Sequence, residues 1–364
     1  MTIKDIIQPI EQIAPLTYQE TYDNSGLLVG DKQTKVSKVL IALDCTEEVL
    51  DEAIRNRCQL IITHHPILFS GLKSITGKNY VERVIIKAIQ KKIAIYAAHT
   101  NLDNAYHGVN HKIAEKLGLK HTKILVPAKN TLQKLYVYVP NSHVETVQQA
   151  LFNAGAGQIG NYKECSFLQE GIGTFTPLEK ANPFIGQIGA RSNEEETKLE
   201  VLAPKHLQGV ILEAMRSSHP YEEIAYELIT LENTNAYIGA GMIGDLPNPM
   251  QEKQFLAYLK KRMKTSCIRH SILLDKEIKK VAVCGGSGAF LLPFAIQQQA
   301  DVYVTSDFKY HQFFDAESKL VIADIGHYES EQFTSEIFYE LLSKKFPNIA
   351  FLLTSVNTNP VQYY

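Results

Sequence analysis

Short apolar runs rich in β-branched residues recur along this chain, separated by segments with helical spacing, and that alternation limits the folds open to it. The runs 36–43, 61–63 and 93–98 read as strands. Between them, 46–58 and 80–91 read as helices, the first with Thr46 as N-cap and Glu47 and Glu48 in its first turn. A further helix over 108–117 is stopped by Gly118. Alternation of this kind builds βαβ units and a parallel sheet. Strands this apolar are buried on both faces, which leaves their polar residues at the ends. In open α/β sheets the C-terminal strand ends are where ligands bind.

The pattern changes between 128 and 233. Strand, helix, strand, strand, helix, strand follow one another there, which is the ferredoxin-like arrangement, and about a hundred residues suffice for an independent domain. The α/β alternation then resumes, with strands at 281–284, 301–305, 320–323 and 349–354 and a helix over 328–343. The expected fold class is therefore α/β: a core of 1–127 plus 234–364, interrupted by an α+β insertion at 128–233. Strands on both sides of the insertion end in His- or Asp-bearing motifs, which suggests two related α/β halves, although no residue-level repeat is visible.

Three strand ends carry metal-ligating residue types. His64 and His65 close the strand 61–63, and Pro66 then holds the chain extended. Adjacent strand residues point to opposite faces, so both serve one site only where the strand has ended. Read alone, the pair is more simply one hydrogen-bonded and one surface histidine. Asp103, past the next strand, could bridge cations or merely cap a turn. His327 and Glu331 are four apart at a helix start, a spacing that suits chelation as well as an ordinary exposed pair. Convergence of all three at one sheet edge favours the metal reading. Asp307 and His311 follow another strand end and are candidates for orienting a ligand or for general-base work, balanced against a structural hydrogen bond. Gly285-Gly286-Ser287-Gly288 could cradle a phosphate on backbone N–H groups, but it lacks the spacing of a P-loop or dinucleotide fingerprint, which favours a tight strand-to-helix turn. His99 reads as a neighbour of the ligands. His107 and His111 read as a solvated pair, and His219 and Glu222 as turn residues.

Composition narrows the function classes. Net charge of -2 argues against nucleic acid or a membrane surface as partner, and no apolar run reaches the ~18 residues of a transmembrane helix. The N-terminal residues lack a signal-peptide pattern, and five cysteines form no Cys-x-x-Cys pair. A cytoplasmic protein with reduced thiols is expected.

Tyr22-Asp23-Asn24-Ser25-Gly26-Leu27-Leu28-Val29-Gly30, Thr63-His64-His65-Pro66, His99-Thr100-Asn101-Leu102-Asp103 and Gly326-His327-Tyr328-Glu329-Ser330-Glu331 occur in that order. This set resembles the signature of the GTP cyclohydrolase I type 2 homologue family, also called NGG-interacting-factor-like dinuclear metal-centre proteins. The resemblance spans nearly the whole chain. It implies two divalent metal ions per subunit on His64, His65, Asp103, His327 and Glu331, with Asp103 and Glu331 as bridges. It also implies a toroidal homohexamer, and hydrolytic opening of the guanine ring of GTP or action on another nucleotide or phosphorylated substrate. Imidazole and carboxylate ligands suit zinc, iron, manganese or cobalt. The insertion resembles a PII/CutA-like domain through Gly155-Ala156-Gly157-Gln158-Ile159-Gly160 and His219-Pro220-Tyr221-Glu222-Glu223. A non-enzymatic alternative is a metal-binding hexamer that docks partners through this domain.

Overall fold

The computed structural model describes residues Met1–Tyr364. Its first part runs α1 (Ile3–Ile13), β1 (Gly26–Val29), β2 (Lys38–Ala42), α2 (Glu47–Arg55), β3 (Leu60–Thr63), α3 (Tyr80–Gln90), β4 (Ala94–Ala97), α4 (Thr100–Asp103), α5 (Val109–Lys116) and β5 (Lys120–Ala128). The middle part contains β6 (Leu132–Pro140), α6 (Val144–Asn153), β7 (Ser166–Phe175), β8 (Ser192–Pro204), α7 (Gln208–Ser218) and β9 (Tyr226–Leu231). Then follow β10 (Asn235–Gln251), α8 (Glu252–Arg262), β11 (Arg269–His270), β12 (Glu277–Ser287), α9 (Leu292–Gln297), β13 (Val302–Ser306), β14 (Val321–Asp324), α10 (His327–Glu331), α11 (Thr334–Lys345) and β15 (Ala350–Leu353). Two compact units result, one of 1–127 with 236–364 and one of 128–235.

The larger unit holds two sheets, ordered β1-β4-β3-β2-β15 and β11-β14-β13-β12-β10-β5. Each contains a parallel trio, β2-β3-β4 in one and β12-β13-β14 in the other, with an antiparallel strand beside its last member. The sheets are thus mixed, where a parallel sheet was expected. Strand periodicity explains how they stack. Val39, Ile41, Leu60, Ile62 and Tyr96 face a core shared with Val281, Val283, Val302 and Val304 of the other sheet and with α1, α5, α8 and α11. Leu40, Ile61 and Ile95 face the opposite way, onto α2 and α3. Ala282, Tyr303 and Ile322 likewise face away, toward α9.

Two departures from the sequence reading have local causes. The helix expected over 328–343 is two helices, α10 and α11. The Gln332 side-chain amide donates to the carbonyls of Glu329 and Met263, supplying partners where the first helix stops. Strand β10 escaped notice because glycines and prolines interrupt its apolar pattern, and its pairing with β12 shifts register between Asp245 and Met250.

In the smaller unit the sheet order is β7-β8-β6-β9, and every pairing is antiparallel. With α6 and α7 packed on one face, this is the ferredoxin-like arrangement expected for the insertion.

Ile62 is fully buried two residues before His64, between the two sheets. Ile62→Ala is expected to cost about 2–5 kcal/mol, read as a lower urea midpoint. An unchanged midpoint would contradict the packing described for this face.

Candidate metal centre

Parallel strands that run side by side deliver their C-terminal residues to one edge. Strands β2, β3 and β4 end at Asp44, His64-His65 and His99, and the turn of α4 after β4 brings in Asp103. From the second sheet, β13 ends at Asp307 and β14 leads through Gly326 into α10, which carries His327 and Glu331 on one face.

The carboxylate of Glu331, 3% exposed, lies at the centre of these groups. Its Oε2 is 2.9 Å from His65 Nε2 and 3.2 Å from His327 Nε2, and the two ring nitrogens are 3.3 Å apart. Its Oε1 is 3.7 Å from His64 Nε2, which is itself 3.6 Å from Asp103 Oδ1. Two groups able to hold a cation therefore share one carboxylate: His65, His327 and Glu331, and His64, Asp103 and Glu331.

The partners on the far side of each ring fix its tautomer. His64 Nδ1–H donates to the Ala98 carbonyl at 2.8 Å, His65 Nδ1–H to Asp44 at 2.6 Å and His327 Nδ1–H to Asp307 at 2.6 Å. Carboxylates and carbonyls only accept, so each imidazole carries hydrogen on Nδ1 and, when neutral, turns the Nε2 lone pair inward. This is the orientation that metal-binding histidines adopt.

The residues fit divalent cations. His64 Nε2 and Asp103 Oδ1 are buried without any hydrogen-bond partner, and each such atom is costly unless something fills the gap between them. Around Glu331 Oε2, separations of 2.9–3.3 Å are near the ~3.3 Å spacing of ligand atoms about a tetrahedral ion with bonds of ~2.0–2.1 Å. Without a cation, protons must relieve the crowding. Burial disfavours charge on His65, yet Asp44 and Glu331 push it up to about 10. Burial acts likewise on His327, and Asp307 and Glu331 push it up to about 11. Burial and the Glu331 carboxylate raise Asp103 to about 7. Burial works against ionised Glu331 too, but the surrounding imidazoles hold it well below the usual carboxylate range.

The glycine-rich turn serves this geometry in a different way from a phosphate cradle. Its first two N–H groups are engaged, Gly285 to Asn110 Oδ1 at 3.0 Å and Gly286 to Ser330 Oγ at 2.9 Å. Gly286 has φ of +62°, and a Cβ there would lie 2.5 Å from Glu331 Oε1. The turn makes room for the carboxylate and ties α10 to the second sheet.

Among the residues singled out from sequence, His64, His65, Asp103, His327 and Glu331 come together, and Asp307 supports His327 from outside. His311 does not join them. It is exposed on a 3-10 turn at Tyr310–Ala316, with its ring against Tyr310 and Phe314. Two aspartates were missed. Asp44 orients His65 and accepts from Thr358 in the C-terminal segment. Asp23 accepts from His99 Nδ1–H at 2.7 Å and from the backbone N–H of Thr100 at 3.0 Å. A polar residue at the end of β2, beside the His-His strand, was the available signal for Asp44.

The Duf34/NIF3 (NGG1p interacting factor 3) family profile matches residues 1–360. The chain belongs to this family. It is 41% identical to the GTP cyclohydrolase 1 type 2 homolog of Bacillus subtilis, over 99% of this chain and 98% of that protein. Among solved structures, a Bacillus cereus protein related to NIF3 superposes with a TM-score of 0.87 at 39% identity, covering 100% of this chain and 99% of that one. A Staphylococcus aureus protein superposes with a TM-score of 0.79 at 32% identity, over 100% and 99% of the two chains.

The raised imidazoles give a pH signature to this DUF34/NIF3 member. A group whose folded pKa is raised stabilises the fold fully below its unfolded value, and the gain is lost as pH rises through the folded value. Metal-stripped protein is expected to lose stability between pH 6.5 and about 10 as His65 deprotonates. Excess divalent cation is expected to flatten that decline, because it needs the neutral rings. Thermal denaturation across this range, with chelator and with zinc or manganese, checks it; identical profiles would argue against a cation at these imidazoles.

Proposed function

We propose that this DUF34/NIF3 protein is a hydrolase that works with two divalent cations and acts on a nucleotide or other phosphorylated substrate. His65, His327 and one Glu331 oxygen would hold one ion; His64, Asp103 and the other Glu331 oxygen would hold the second. The observation that carries this reading is the buried, unpartnered pair His64 Nε2 and Asp103 Oδ1, directly beside the crowded second group. Divalent ions at such a site supply Lewis acidity and a nucleophilic water at neutral pH.

The protein's own groups divide the remaining work. A cavity of about 680 Å³ opens beside the ligands, within the range of small-molecule sites. Tyr22, Phe69 and Phe290 lie along its wall and are more than half exposed, so their faces are available to a planar base. No lysine or arginine lines it, so this chain's own side chains supply no such cationic contact to a substrate phosphate there. His99 also lines the cavity. Asp23 holds its Nδ1–H, so its Nε2 is the atom suited to take a proton from water and pass it to a leaving group. His99, oriented by Asp23, replaces His311 and Asp307 as the proton-handling group in this reading.

GTP is the first substrate to try, since the Bacillus subtilis relative is named a GTP cyclohydrolase 1 type 2 homolog. Homohexameric assembly belongs to the same proposal and rests on family membership alone, whereas a cytoplasmic location rests on the cysteine pattern. A non-enzymatic reading, in which the inserted unit binds a partner or ligand, is favoured by one feature: that unit has a cavity of its own.

Glu331→Gln is expected to lower metal content by elemental analysis and to abolish turnover. His99→Ala is expected to keep the metal and lower kcat by roughly 10²–10⁴-fold. The assay is formate and phosphate release from GTP and a nucleotide panel, with zinc, iron, manganese or magnesium. Metal-loaded protein inert on the whole panel would overturn the hydrolase reading, and full metal retention in Glu331→Gln would overturn the ligand assignment.

A further inference from the structure

The sheet of the smaller unit has two unlike faces. Leu135, Val137 and Val139 of β6 and Leu199, Val201 and Ala203 of β8 face α6 and α7. The alternate residues, including Tyr138 and Glu196, face the other way, where no helix covers them. That face would ordinarily be solvated and polar. Here the chain after β7 folds over it, and the two enclose a cavity of about 500 Å³.

Four aromatic residues line this cavity: Tyr138, Phe175, Phe184 and Tyr221. Tyr221 is their hub, with ring centroids 6.1 Å from Phe175 and 6.4 Å from Phe184. Glu196 also lines it, although the residue is only 8% exposed. Gly173 on the paired strand makes room for this carboxylate, since a Cβ there would lie 2.0 Å from Glu196 Oε2.

A buried carboxylate normally has a cationic partner. Glu196 forms no ion pair, and no lysine, arginine or histidine lines the cavity, whereas Glu222 and Glu223 add acidic groups to its wall. Of the two imidazoles nearby, His143 packs edge-on against the Phe184 ring at 5.4 Å without lining the cavity, and His219 gives no compensation. His219 donates from Nε2 to the Tyr138 carbonyl at 2.9 Å and accepts at Nδ1 from the Tyr221 N–H at 3.1 Å, so it is held in its neutral form. The group facing Glu196 is the Tyr221 phenol, whose ionisation is opposed by burial and by that carboxylate.

Aromatic faces around a largely buried carboxylate attract an organic cation through both the ring quadrupoles and the carboxylate. We propose that the cavity beneath the chain after β7 binds a small alkylammonium ion, with Glu196 as its counter-charge and Tyr138, Phe175, Phe184 and Tyr221 as its cage. This site is separate from the metal ligands and does not depend on their assignment.

The test is calorimetric titration of the full-length, metal-loaded protein with tetramethylammonium, choline and butylammonium. The neutral control is 3,3-dimethyl-1-butanol, which has the shape of choline without its charge. Saturable binding of at least one cation is expected, with a preference of about tenfold or more for choline over its neutral isostere. Glu196→Gln, which keeps the side-chain shape, is expected to remove that preference. Phe184→Ala, in the exposed covering segment, is expected to weaken cation binding several-fold. Equal binding of choline and its isostere would overturn the proposal in favour of a merely apolar pocket. Absence of saturation by every cation, or unchanged affinity in Glu196→Gln, would overturn it as well.

Discussion

A single buried carboxylate, Glu331, joins the two sheets of the larger unit at the edge where the histidines cluster. Its two oxygens face different imidazoles from the first sheet, His64 and His65, while its own helix follows the last strand of the parallel trio in the second. An ionised carboxylate in this position is tolerable only when positive charge meets it from several sides. The outer partners therefore matter as much as the inner ones. Asp44, Asp307 and the Ala98 carbonyl each take an Nδ1–H and commit the opposite nitrogen to the centre. Gly286 matters for the same reason, because a side chain there would occupy the volume that Glu331 fills.

The inner groups were legible in the sequence because their order along the chain follows from strand periodicity. His64, His65, Asp103, His327 and Glu331 all fall just beyond apolar runs, and a parallel sheet carries such positions to a common edge. Asp44 carried the same strand-end signal and Asp23 did not, and neither has a histidine next to it in sequence. Each is a lone aspartate beside a strand or turn, and its role arises only when a particular histidine becomes its neighbour. His311 illustrates the converse. It follows a strand end as closely as the true members of the cluster do, but a short 3-10 turn carries its ring outward to Tyr310 and Phe314.

The fold was legible to a similar depth. Alternating strand and helix signals located both parallel trios, and the strand–helix order of the insertion gave its antiparallel sheet. Antiparallel additions to the trios were hidden, since β10 is punctuated by glycine and proline and β11 has two residues. The cavity on the open face of the inserted sheet was also hidden. It is formed by an irregular segment with no periodicity, and Glu196 in a run of three glutamates reads as an ordinary solvated charge.

The pairing of β15 with β2, and the hydroxyl of Thr358 on Asp44, set an order of events during synthesis. The first sheet lacks a strand until residues 350–353 have left the ribosome, and Asp44 lacks one of its partners until 358 has done so. Emerging chains fold in units as their residues become available. The unit of 128–235 has all of its strands well before this, whereas the histidines at 64 and 65 must wait for Glu331 from more than 260 residues downstream. The two groups that share Glu331 are thus completed only after the inserted unit has had time to fold.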